Sequence, residues 1–181
     1  MVLGGGMAVM IRMPGESHTG TLPPLTAEQR ELSQRLREHV VVLADEIGER
    51  NMYHLDALER AADYIAEELG ALGYEVAVQE FAVGRDTACN LASELPGAAK
   101  ADEIVVVGAH YDSVAGCPAA NDNGSGVAAL IELARMLCRD APERTVRFVA
   151  FANEEPPHFQ TGTMGSRHYA RACRKRGERV V

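Results

Sequence analysis

The residues best suited to chemistry begin with His110 and Asp112, which directly follow the apolar run 104–109. In an extended chain, residues two apart share one face, so Asp112 can reach the His110 ring and fix its tautomer. The other ring nitrogen can then bind a metal ion. A lone histidine at a strand end is more often structural, so this pair becomes informative only beside other ligand types.

A second polar cluster, residues 121–126, contains Asp122 among asparagines and glycines and directly precedes a helical apolar pattern. A helix N-terminus favours an ionised carboxylate, and glycines allow the backbone to approach an ion closely. The same residue types are also typical of an ordinary turn with a helix N-cap. Taken alone, this segment favours the capping interpretation.

The third cluster contains the adjacent carboxylates Glu154 and Glu155, which follow the predicted buried strand 146–152. Two carboxylates beside a buried strand are costly unless a cation lies near them. The prolines at 156 and 157 prevent either a helix or a strand ladder from continuing. We therefore predict that the chain turns here and gives the two glutamates different roles, although a solvated acidic turn is an alternative.

The three clusters together favour a metal site, because all of them border elements of one predicted sheet. Ligand sites of open α/β sheets lie at strand ends. A histidine, a shared aspartate and a pair of glutamates suit zinc, and one carboxylate would remain as a general base.

The elements that position these clusters are predicted from apolar periodicity. The order helix, helix, strand, strand, strand, helix, strand, helix indicates an α/β fold. We expect a three-layer sandwich, in which a mixed central sheet is flanked by helices and is incomplete at the C-terminus. The run 104–109 is apolar without alternation, as in a strand covered on both faces, so we predict it to be the central strand. Helices are predicted near 26–48, 58–73, 126–138 and from 164, and strands near 76–81, 88–95, 104–109 and 146–152.

Composition excludes several classes of protein. The formal net charge of -8 argues against nucleic acid as a partner, and no apolar run approaches the length of a membrane span. The four cysteines form no CxxC pair, so neither a zinc ribbon nor a redox motif is indicated. Residues 1–24 are interpreted as a disordered leader without a clear signal peptide, which slightly favours a cytoplasmic location.

Four segments carry a resemblance to a known family. The segments Val107-Gly-Ala-His-Tyr-Asp-Ser, Ala120-Asn-Asp-Asn-Gly-Ser-Gly-Val-Ala, Phe151-Ala-Asn-Glu-Glu-Pro-Pro and Met164-Gly-Ser closely resemble the zinc aminopeptidases of metallopeptidase family 28. The resemblance extends roughly from Asn51 to the C-terminus. It implies a peptide substrate and hydrolysis by a water molecule that two zinc ions activate.

The resemblance also implies a role for each site residue. His110 would be a ligand of one zinc, and Asp112 would orient it. Asp122 would bridge both ions, and Glu155 would be a ligand of the second. Glu154 would be the general base that accepts a proton from the attacking water.

The sequence departs from the family pattern after Glu155. Family members supply a further aspartate and a further histidine ligand, whereas here only Glu178, His158 and His168 follow. We therefore interpret residues 25–181 as the N-terminal part of a zinc peptidase domain, and we expect it to be weak or inactive as given. An unfinished sheet edge would favour self-association.

Two alternatives remain open from the sequence. One is a non-catalytic protein-interaction module of the same fold. The other is a zinc acyltransferase similar to glutaminyl cyclases, which use one zinc, so the number of bound ions would separate it from the peptidase.

Overall fold

The first helices follow from local sequence signals. In this computed structural model, which describes residues 18–181, helix α1 spans Ala27–Val41 and continues as a π-helical turn over Val42–Ile47. Thr26 and Gln29 form a capping box, in which each side chain bonds the backbone N–H of the other residue. Gly48, with a φ of 82°, ends the turn in a backbone conformation that favours glycine.

Most of the predicted leader, residues 1–24, lies outside the described residues. Residues 18–24 are exposed and contain neither helix nor strand, and residues 1–17 lie outside the described residues.

Helix α2, Leu55–Ala71, begins after a short turn and buries one apolar face that includes Leu58, Ile65 and Leu69.

Five strands form one mixed sheet. They are β1 (Val76–Val83), β2 (Asp86–Leu95), β3 (Lys100–His110), β4 (Arg144–Phe151) and β5 (Arg179–Val180). Their spatial order is β1-β2-β4-β3-β5. Strands β1 and β2 form an antiparallel hairpin and β2 pairs antiparallel with β4, whereas β3 runs parallel to both β4 and β5.

The prediction that residues 104–109 form the central strand was wrong, because β4 occupies the middle of the sheet. Several side chains of β3 are only half-buried and Gly108 is exposed, so this strand is not fully covered on both faces. An apolar run indicates burial but does not give the order of strands in a sheet. The two-residue strand β5 was not predicted, since so short a segment carries no periodicity.

Helices cover both faces of the sheet, as the α/β sandwich requires. Helix α3 (Gly126–Leu137) packs with α1 and α2 on one face, and α4 (Gly165–Arg176) lies on the other. On β4, Phe148 and Ala150 join the larger core, whereas the intervening Val149 packs against Tyr169 of α4. This alternation follows from the two-residue repeat of strand side chains.

The parallel pairing of β3 and β4 positions the site. His110, at the end of β3, lies opposite Phe151, at the end of β4. The residues that follow the two strands therefore lie at the same edge of the sheet. Among residues 18–181, no helix is long and apolar enough to cross a bilayer. The four cysteines are free thiols.

Candidate metal centre

His110 is held at the end of β3 with both ring nitrogens directed at oxygen atoms. The side chain is largely buried, with an exposed fraction of 9%. Its Nδ1 lies 3.2 Å from the backbone oxygen of Asp112 and 3.5 Å from the Oδ1 atom of the same residue. Its Nε2 faces the other acidic residues of the site. Asp112 is therefore placed where an orienting partner for His110 would lie.

The Asp112 carboxylate also joins the ends of the two strands. Its Oδ1 accepts a hydrogen bond from the backbone N–H of Glu154 at 3.1 Å, and its Oδ2 accepts one from that of Glu155 at 3.0 Å. The residue is 2% exposed. Hydrogen bonds to a buried charged group are among the stronger ones in proteins, so Asp112 fixes the backbone on which both glutamates lie. The sequence predicted only that Asp112 would contact the His110 ring.

Asp122 extends toward the same histidine from the segment Ala120–Ser125, a π-helical turn whose backbone is non-helical at Asp122 and Asn123. Its Oδ1 lies 3.0 Å from the His110 Nε2, and its side chain is 76% exposed. The side-chain oxygen of Asn123, not that of Asp122, accepts from the backbone N–H of Gly126 at the start of α3. The helix-capping interpretation of this segment therefore does not apply to Asp122, which is left available to a ligand.

The two glutamates follow a sharp turn at the end of β4, as predicted for this segment. Asn153 adopts a φ of 58°, and the backbone N–H of His158 donates to the Glu155 carbonyl to close the next turn. Glu154 Oε2 lies 3.6 Å from the His110 Nε2. One potential ligand atom from each of His110, Glu154 and Glu155 lies within 4.8 Å of the other two.

The site carries an excess of negative charge. Burial lowers the pKa of His110, but the carboxylates of Asp112, Glu154 and Asp122 outweigh it and raise that pKa to about 9. Burial, followed by the charges of Asp122 and other carboxylates, raises the pKa of Glu155 above its ordinary value. Both shifts have the sign expected of a site that favours a cation. One imidazole nitrogen with several carboxylate oxygens is a donor set that fits zinc.

The two remaining histidines near the C-terminus do not join this cluster. The Nδ1 atom of His158 lies 2.9 Å from the Thr163 hydroxyl. His168 stacks on Phe81, with ring centroids 4.4 Å apart. Neither belongs to the group of potential ligands that the described residues form.

Sequence reasoning missed a buried arginine behind the site. Arg50 is 0% exposed, and its guanidinium donates to backbone carbonyls of the segments that carry Asp112 and Asp122. No local signal identifies it, because its position between Glu49 and Asn51 is typical of a solvated turn. Backbone carbonyls are present at every residue, so such partners leave no pattern in the sequence.

Comparison with known proteins places this site in a family. The model of peptidase family M28 matches residues 90–181, just over half of the chain. The chain belongs to this family of metallopeptidases. The match includes every predicted site residue, from His110 to Glu155.

Individual relatives match different lengths of this chain. The protein YfbL of Escherichia coli is 34% identical over 145 residues, which cover 76% of this chain and 44% of YfbL. Aminopeptidase YwaD of Bacillus subtilis is 47% identical over 70 residues, which cover 39% of this chain and 14% of YwaD. The chain therefore spans less than half the length of these relatives.

Solved structures share the fold. The zinc aminopeptidase BSAP of Bacillus subtilis superimposes with a TM-score of 0.69 at 17% identity, over 77% of this chain and 64% of BSAP. A glutaminyl cyclase of Macrostomum lignano gives a TM-score of 0.67 at 25% identity, over 90% of this chain and 54% of the cyclase. These likenesses confirm the predicted α/β fold of the zinc exopeptidase type.

Proposed function

We propose that this chain carries part of the two-zinc centre of an exopeptidase, an aminopeptidase that hydrolyses the N-terminal peptide bond of its substrate. The observation that carries the proposal is the convergence of His110 with Asp122, Glu154 and Glu155 at one edge of the sheet, with Asp112 bonded behind them. Membership in peptidase family M28 and the similarity to aminopeptidase YwaD support the same activity.

The geometry suggests how the roles divide. His110 Nε2 lies closer to Asp122, at 3.0 Å, than to Glu154, at 3.6 Å, so we assign His110 and Asp122 to one ion. Asp122 would be shared with a second ion held by Glu155. This assignment leaves Glu154 free to accept a proton.

The reaction then needs little from the chain beyond positioning and proton transfer. Zinc, when bound, would supply a Lewis acid that polarises the scissile carbonyl and favours deprotonation of a water molecule. The Glu154 carboxylate would accept the proton of the attacking water and deliver it to the departing amine. Asp112 would keep His110 and the Glu154–Glu155 backbone in place throughout.

Zinc affinity tests the proposal directly. With Asp122 shared, His110, Asp122 and Glu155 give each ion two protein ligands, whereas catalytic zinc sites normally have three. We therefore expect weak zinc binding and low turnover in the 181-residue chain. In calorimetric titrations, Asp122→Asn and Glu155→Gln should each weaken binding by about tenfold or more.

Controls make this titration decisive. Asp45→Asn and Glu67→Gln make the same chemical changes at exposed positions and should leave the affinity unchanged. Two bound ions per chain support the proposed centre. The proposal would be contradicted if the wild-type chain binds no zinc, or if Asp122→Asn and Glu155→Gln bind zinc as tightly as the wild type.

A glutaminyl cyclase activity is a second candidate. The similarity to the Macrostomum lignano enzyme favours it, as does the group of His110, Glu154 and Glu155, which suits a single ion. In this case one zinc would bind per chain, and Glu154→Gln would weaken its binding. Incubation with a peptide that begins with glutamine, followed by mass spectrometry for loss of ammonia, distinguishes cyclisation from hydrolysis.

We also propose that the chain self-associates through the outer edge of β3. In the described part of the chain, β5 pairs with that edge only at Glu103 and Ile104. The edge beyond Ile104 is thus open to another strand, and open edges favour association. Sedimentation velocity should show dimers or larger species that increase with concentration. A monomer at all concentrations would contradict this proposal.

A further inference from the structure

Arg50 connects the loops that carry the candidate ligands. Its Nε donates to the carbonyl of Tyr111 at 2.6 Å, and its two terminal nitrogens donate to those of Pro118 at 2.7 Å and Ala119 at 3.2 Å. Tyr111 directly precedes Asp112, and Ala119 directly precedes the turn that contains Asp122. One guanidinium therefore bonds the backbone next to Asp112 and the backbone at the start of the turn that contains Asp122.

The same side chain anchors these loops to the N-terminal helix. Its Nη1 also donates to the carbonyls of Leu43 and Gly48, at 2.9 and 3.0 Å. The Arg50 backbone exchanges two further bonds with Ser113, whose hydroxyl accepts at 3.0 Å and whose N–H donates at 2.8 Å. Because Asp112 in turn bonds the backbone of Glu154 and Glu155, Arg50 is linked to all three ligand-bearing segments.

The loop before Asp122 needs such an anchor. Ala119 has a φ of 51°, a left-handed conformation that is unfavourable for any residue other than glycine. Its carbonyl accepts from both Arg50 and the backbone N–H of Gly124, at 3.0 Å in the second case. A Cβ at Gly124 would lie 2.9 Å from that carbonyl oxygen, which is closer than a Cβ normally comes, so this contact requires glycine.

A buried arginine whose hydrogen bonds all go to carbonyls is costly unless other charges offset it. Burial lowers the pKa of Arg50, whereas the nearby charge of Asp112 raises it. The guanidinium thus places a fixed positive charge behind the acidic site, in addition to its hydrogen bonds.

We propose that Arg50 is a positioning residue for the metal centre. It fixes the separation between the segment 111–113 and the turn 120–125, so that His110, Asp122 and Glu155 keep the geometry that binds the ions. This inference rests on the proposed function of the site.

Hydrogen–deuterium exchange on the metal-free chain tests the coupling. Arg50→Gln should speed exchange about tenfold or more in peptides covering 110–125 and 153–155, while the strands of the core stay protected. Arg147→Gln is a matched control, because Arg147 is also largely buried but bonds Glu94, Tyr169 and Glu178 away from the site. It should affect α4 and the C-terminus instead. Two results would overturn the proposal. One is that Arg50→Gln speeds exchange uniformly over the whole chain, and the other is that it does not speed exchange in 110–125 and 153–155.

Cobalt(II) alone provides the second readout through its visible absorption. We expect Arg50→Gln to weaken cobalt binding about tenfold or more and to alter the spectrum, Arg50→Lys to recover part of the loss, and Arg147→Gln to match the wild type. If Arg50→Gln does not fold, Arg50→Lys is compared in both experiments. Cobalt binding that is equal in the wild type and both Arg50 variants would overturn the inference while sparing the proposed function. A wild-type chain that binds no cobalt contradicts the proposed function, and exchange data then decide whether Arg50 joins the loops.

Discussion

Asp112→Asn is expected to lower the free energy of unfolding by about 2–4 kcal/mol and to weaken zinc binding by about 10–100-fold. The carboxylate accepts from the backbone N–H groups of Glu154 and Glu155 while 2% exposed. An asparagine presents one N–H₂ group toward one of these donors, so a buried N–H loses its acceptor. Urea unfolding of the metal-free protein and zinc titration measure the two effects.

The loss of stability should depend on pH. The pKa of His110 is about 9 against an ordinary value of 6.5, so its protonated form stabilises the metal-free fold. That contribution is fully present below the ordinary pKa and is lost as the pH rises through about 9. Because Asp112 helps to raise this pKa, Asp112→Asn should cost more stability at about pH 6 than at about pH 10.

Two comparisons identify the cause. Asp45→Asn, at an exposed position, should leave both stability and zinc affinity at the wild-type level. In a nuclear magnetic resonance titration, the pKa of His110 should fall toward its ordinary value in Asp112→Asn. If the variant is as stable as the wild type and keeps the His110 pKa, Asp112 does not organise the site.

The second large effect is expected on catalysis. Glu154→Gln should reduce hydrolysis of an aminoacyl 4-nitroanilide by about 10²–10⁴-fold, because the amide cannot accept the proton of the attacking water. The change preserves size and leaves the bonds from Asp112 to the backbone intact. Zinc affinity should remain close to that of the wild type, since we assign Glu154 to proton transfer rather than to metal binding.

The measurement is made at saturating zinc and high protein concentration, since turnover of this chain is expected to be low. Glu67→Gln is the matched control, an exposed glutamate on α2 that should not alter the rate. Hydrolysis that survives Glu154→Gln would exclude this residue as the base. A loss of zinc binding in this variant would instead assign Glu154 as a ligand, as the close group of His110, Glu154 and Glu155 allows.

The candidate centre depends on a network that joins distant parts of the chain. Asp112 connects the end of β3 to the turn after β4, and Arg50 connects both to the turn before α3. Interactions of this kind are cooperative, so single substitutions in the network should affect metal binding even where the residue touches no ion. Arg50→Lys keeps the charge but not the hydrogen bonds of the guanidinium, so it should restore only part of the metal binding that Arg50→Gln loses.

The sequence by itself determined the local structure and the residue types of the site. The capping box at Thr26, the hairpin of β1 and β2 and the start of α4 after Met164 all follow from signals within a few residues. His110 and the glutamates follow apolar runs, and Asp122 precedes a helical pattern. These positions indicated a metal site, because ligand sites in such folds lie at strand ends.

Only the tertiary structure decided how these parts combine. The position of β4 in the middle of the sheet, the bonds of Asp112 to the Glu154 and Glu155 backbone and the burial of Arg50 depend on residues far apart in the chain. The pairing of Arg50 with carbonyls 61 and 68 residues away leaves no trace in composition or periodicity. Periodicity indicates which face of a helix or strand is buried. The packing of the whole fold determines which elements lie next to one another.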